Sequence, residues 1–64
     1  MSGKEICKEL SNNGWVMIRR QFPYAVFKKD GTDRLIVVPL HPKVSIGVLH
    51  KIENITGLSL RKKK

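Results

Sequence analysis

Residues 14–27 read GWVMIRRQFPYAVF and hold all four aromatic residues of the chain, Trp15, Phe22, Tyr24 and Phe27, together with the pair Arg19 and Arg20. β-branched, aromatic and straight-chain apolar side chains dominate the stretch. Gly14 and Pro23 bracket its first half, which disfavours a helix and predicts a strand from Trp15 to about Gln21. Phe22-Pro23 breaks the pairing, and a second strand runs from Tyr24 to Lys29. Asp30-Gly31-Thr32-Asp33 has the composition of a turn, and a third strand from Arg34 to Val38 stops before Pro39, which has no N–H to give to a ladder.

Helices flank this meander on both sides. Ser2-Gly3-Lys4-Glu5 has the form of a capping box, Ile6, Cys7 and Leu10 share one face, and Asn12-Asn13-Gly14 supplies a stop, giving a first helix over about residues 3–13. After the extended connector His41-Pro42-Lys43, Ser45 is an N-cap for a second helix in which Val48, Leu49, Ile52 and Ile55 recur at helical spacing, ended by Gly57. The expected class is α+β in the order αβββα, a three-stranded antiparallel sheet with both helices on one face and the other face open. Residues 1–60 form one domain and 61–64 a basic tail.

The 64 residues include thirteen Lys and Arg against five acidic residues, a formal charge of +8. Setting aside Arg61 to Lys64 still leaves +4 on the body of the chain. Such a balance attracts a polyanion, with nucleic acid first. Guanidinium and ammonium groups hold phosphate and exposed rings stack on unpaired bases, which makes Arg19, Arg20, Lys28, Lys29, Arg34 and Lys43 the RNA-binding candidates. Each ring has a competing use in the core, most of all Trp15 and Phe27. The expected nucleic-acid surface is the open sheet face.

A single cysteine excludes an internal disulfide framework and fits a reducing compartment, so the cytoplasm is the expected location. No run has the length of a membrane span, and no export signal is legible at the N-terminus. One Cys and two separated His residues do not make a zinc set, and no glycine-rich phosphate loop is present, so neither metal nor cofactor is expected. Cys7, on an apolar stripe, reads as a packed thiol. The proton-transfer candidates are His41, Tyr24 and, on the second helix, His50, which reads as a structural residue. RNA cleavage would suit so small a set, since the substrate brings its own 2′-hydroxyl nucleophile.

Asn13-Gly14-Trp15-Val16, Ala25-Val26-Phe27, Val37-Val38-Pro39-Leu40-His41-Pro42 and Thr56-Gly57-Leu58-Ser59 follow one another in an order and spacing that resembles the HicA (YcfA-like) toxin family. The resemblance implies a double-stranded-RNA-binding-domain-like fold, metal-independent mRNA endoribonuclease activity on single-stranded RNA, and neutralisation by a HicB-like antitoxin. The family's catalytic His lies in a Gly-Ser-His motif that falls here on Phe22-Pro23-Tyr24. The catalytic candidates are therefore Tyr24 and His41. Three outcomes stay open: Tyr24 takes over part of the role, His41 does, or the protein binds RNA and partner without cutting. A pure interaction protein with a basic face for an acidic partner is a further alternative.

Overall fold

The computed structural model describes residues 1–60, and the basic run 61–64 lies outside the described residues. Helix α1 (Gly3–Asn12) is followed by strands β1 (Val16–Gln21), β2 (Tyr24–Lys28) and β3 (Leu35–Pro39) and helix α2 (Ile46–Thr56). The strands form one antiparallel sheet in the order β1-β2-β3. The order αβββα and the meander are those expected from periodicity and caps.

The ends of the elements follow from local chemistry. The Glu5 N–H donates to Ser2 Oγ at 3.2 Å while the Ser2 N–H donates to Glu5 Oε1 at 2.7 Å, a closed capping box. Ser45 Oγ accepts from the Val48 N–H at the start of α2, and Gly57 ends it at φ 77°, a left-handed position that favours glycine. Pro39, expected to lie just beyond β3, is its last residue, opposite Tyr24. As the terminal residue of an edge strand it has no need of a ladder donor.

The core lies on one side of the sheet. Ala25 and Phe27 of β2 and Ile36 and Val38 of β3 point into it, and Ile6 and Leu10 of α1, Leu49 and Ile52 of α2, and Trp15, Val44 and Leu60 close it. Trp15 and Phe27 are thus core residues, while Phe22 and Tyr24 stand in solvent. Cys7 packs half-buried against the core edge. Burial pushes its thiol pKa up, and the charge of Arg20 offsets part of that rise.

Residues near the N-terminus are strapped to the connector between β3 and α2. The Gly3 N–H donates to the His41 carbonyl at 2.8 Å and the Val44 N–H to the Met1 carbonyl at 2.9 Å. Gly3 is buried, and a Cβ there would stand 2.2 Å from the Pro39 carbonyl oxygen, so this approach of helix to strand requires glycine. At the other end the Leu60 N–H donates to Glu53 Oε2 at 2.7 Å, holding buried Leu60 under α2.

Candidate nucleic-acid interface

Pairing register fixes what the outer face of the sheet presents. Residues on β2 alternate, so buried Ala25 and Phe27 leave Tyr24, Val26 and Lys28 facing out. Their partners carry the same face across the sheet in three rows: Gln21-Tyr24-Pro39, Arg19-Val26-Val37 and Val16-Lys28-Leu35. Neither helix covers these rows: Tyr24, Leu35 and Val37 each keep half or more of their surface in solvent.

Arg19 and Arg20, grouped by sequence as one cationic pair, lie on opposite faces. Arg19 pairs with outward Val26, whereas Arg20 pairs with inward Ala25 and reaches the α1 side, where its charge acts on Cys7. Ile18 decides which of the two faces out. The register shifts between Met17 and Arg19, leaving Ile18 as an extra residue without a partner on β2. Simple alternation from outward Val16 would have sent Arg20 outward and Arg19 inward, and the bulge reverses that order.

A hollow of about 510 Å³ sits on this face, lined by Arg19, Gln21, Phe22, Tyr24, Val26 and Val37. Its floor is the two valines, its walls are a guanidinium, an amide and two rings. The turn that carries the rings contains a cis Phe22-Pro23 peptide and is tied to the far strand by the Leu40 N–H donating to the Pro23 carbonyl at 2.6 Å. Phe22 projects furthest, 79% exposed. An apolar floor with rings and one cation is the composition that receives a flat, partly apolar group bearing nearby negative charge, as a nucleotide does.

Other sequence candidates lie elsewhere. Lys28 is on the outer face but two rows from Tyr24, a separation of about 13 Å along β2 at ordinary strand rise. Lys29 lies just beyond β2, its side chain against Gly14, and Arg34 follows in the β2–β3 loop, its N–H donating to Thr32 Oγ1 at 3.1 Å. His41 does not meet Tyr24 in one hollow. It lines a separate concavity of about 310 Å³ with Ser2, Lys4, Leu40 and Pro42. Its Nδ1 is 3.1 Å from the Lys43 N–H nitrogen, from which it accepts when unprotonated, and 3.0 Å from the Lys43 carbonyl, to which it donates when protonated. His50 is exposed on α2. Among the described residues no three His, Cys, Asp or Glu side chains gather in a way that could hold a metal ion.

Gln21, Phe22, Val26 and Val37 were not among the residues assigned to RNA binding from sequence, which were chosen for charge, although Phe22 was one of the rings noted there. The signal that finds them is alternation: once Phe27 is assigned inward, Val26 and Tyr24 must be outward and the hairpin brings Gln21 beside them.

A family model described as "HicA toxin of bacterial toxin-antitoxin" matches residues 3–58. The chain belongs to the HicA toxin family. The match spans every helix and strand, in agreement with the resemblance carried by the Asn13-Gly14-Trp15-Val16 and Val37-to-Pro42 segments. As a HicA-family toxin the protein is one half of a toxin–antitoxin pair and has an antitoxin as partner. No curated relative matches the chain. No helix among the described residues is long and apolar enough to cross a membrane.

Proposed function

We propose that this HicA-family chain is a cytoplasmic RNA-directed toxin that receives an unpaired stretch of mRNA on the outer sheet face and cuts it without a metal ion, and that a HicB-like antitoxin restrains it. The observation that carries the reading is the hollow in which the Arg19 guanidinium stands with the exposed rings of Phe22 and Tyr24 over an apolar floor. Stacking on such rings contributes about 1–3 kcal/mol per base and does not depend on base identity. Lys28, further along the same face, is placed to meet the phosphate backbone beyond the stacked base.

Cleavage on this face follows the chemistry of RNA itself. The 2′-hydroxyl oxygen attacks the adjacent phosphorus, the bond from phosphorus to the 5′-oxygen breaks, and a 2′,3′-cyclic phosphate and a 5′-hydroxyl result. The proton lost by the 2′-hydroxyl passes to solvent water. The Tyr24 phenol, at the position where the resemblance puts the family's histidine, donates a proton to the departing 5′-oxygen and recovers one from solvent. Arg19 stabilises the charge that builds on the equatorial oxygens.

A second reading, an RNA- and partner-binding module that does not cut, draws on one observation: Tyr24 and His41 line different hollows, so the hollow that holds Tyr24 lacks an imidazole to serve as base. Incubation of the purified protein with single-stranded RNA in EDTA separates the two. The first reading expects fragments ending in 2′,3′-cyclic phosphate, lost in Tyr24→Phe. Bound but intact RNA at high protein concentration favours the second, and RNA affinity indifferent to salt overturns both.

A further inference from the structure

Strand β1 differs from its neighbours in being an edge strand that buries none of its side chains. On the side away from β2 it has no strand partner among the described residues. All six of its side chains are exposed, including Met17 and Arg20, which point to the helix side of the sheet, where α1 approaches the strand without burying them. The other edge strand, β3, is flanked on that side by Val48, Lys51 and Ile55 of α2. An edge of this kind presents a row of backbone donors and acceptors ready to pair with an added strand.

We infer that β1 is a docking edge for an extended segment of an acidic protein partner, which adds to the sheet as a fourth strand and carries two adjacent carboxylates. The segment's chemistry follows from the strand. Arg19 and Arg20 are consecutive and face opposite sides, so an added strand meets both with neighbouring acidic residues, one projecting to each face. Val16, Met17 and Ile18 ask for apolar residues at the adjoining positions. A second copy of this chain is the poorer occupant, because each copy carries +8 and would bring Arg19 and Arg20 against the same arginines of its twin. An acidic segment turns the same charges into attraction and faster association. The inference stands apart from RNA cleavage and holds whether or not the outer face cuts.

The test uses the full chain and a short synthetic peptide of alternating threonine and valine with one central Asp-Glu pair. The peptide is expected to perturb the amide resonances of residues 16–21. N-methylation of alternate peptide nitrogens, which removes ladder donors and leaves the side chains, is expected to weaken binding about tenfold, and Asn-Gln in place of Asp-Glu about three- to tenfold. The double variant Arg19→Glu, Arg20→Glu is expected to lose the acidic peptide and gain one bearing Lys-Lys. Failure of the acidic peptide to bind, equal affinity for the N-methylated form, or perturbation centred on Tyr24 and Val37 overturns the proposal. Occupation of the β1 edge by an oligonucleotide in place of the peptide, or dimerisation through β1 in the absence of peptide, overturns it as well.

Discussion

β1 and β2 are two halves of one hairpin, similar in length and both rich in apolar residues, yet they serve the molecule differently. β2 alternates between core and solvent and supplies Ala25 and Phe27 to the interior, whereas β1 buries none of its six side chains. The cause is placement. β2 is the central strand, and its inward residues join those of both helices in one core, while β1 is an edge strand that α1 approaches without burying any of its side chains. Apolar content alone therefore does not mark a core strand in this protein. The residues of β1 meet solvent on both faces of the sheet.

The sharpest way to break this contrast is to cut a side chain from β2. Phe27→Ala empties a fully buried site and is expected to cost about 3–5 kcal/mol, a large part of the stability of so small a domain, leaving it largely unfolded by circular dichroism at 37 °C. The matched change on β1, Ile18→Thr, is expected to stay within about 0.5 kcal/mol in urea unfolding, and a loss as large as that of Phe27→Ala would show that β1 is packed after all.

Next in size, Arg19→Gln is expected to lower the slope of log affinity against log salt for single-stranded RNA by about 0.7, the share of one phosphate contact. Arg20→Gln, on the other face, is expected to leave the slope unchanged, and equal effects from the two would refute the register-based division of their roles. Deletion of Ile18 sharpens the same point. It removes the bulge while keeping Met17 across from Phe27 and Arg19 across from Val26, so RNA affinity is expected to hold and Tm to move by no more than about 4 °C.

The smallest effect concerns Cys7. Because its folded pKa lies above the unfolded one, its contribution to stability is complete below the ordinary thiol range and is lost as pH rises through the elevated value. Arg20→Gln removes the charge that counters this rise, so alkylation of Cys7 by iodoacetamide at mildly alkaline pH is expected to slow. An unchanged rate would place Arg20 away from α1.

Much of the fold was legible because local signals agreed. Ser2 and Glu5 announce α1, Ser45 and Gly57 bound α2, and the break at Phe22-Pro23 separates two strands without help from tertiary structure. The family resemblance read from motif order is matched by the family model over residues 3–58. The site was less legible. Charge picked out Arg19 and Arg20 together, but one unpaired residue in a ladder sets the parity of everything after it, and no feature of Val16-Met17-Ile18 marks which of the three will bulge. Nor does spacing reveal that His41, two residues beyond the strand that faces Tyr24, turns to the α1 side. That turn depends on backbone bonds between residues far apart in sequence, such as Gly3 to His41.

Those same bonds bear on how the chain is made. Met1 and Gly3 find their backbone partners at Val44 and His41, so the strap that holds the start of the opening helix cannot form until the third strand and its connector have emerged from the ribosome. The toxin can close its core only late in synthesis. A nascent copy thus spends most of its assembly without the finished surface on which any partner would dock.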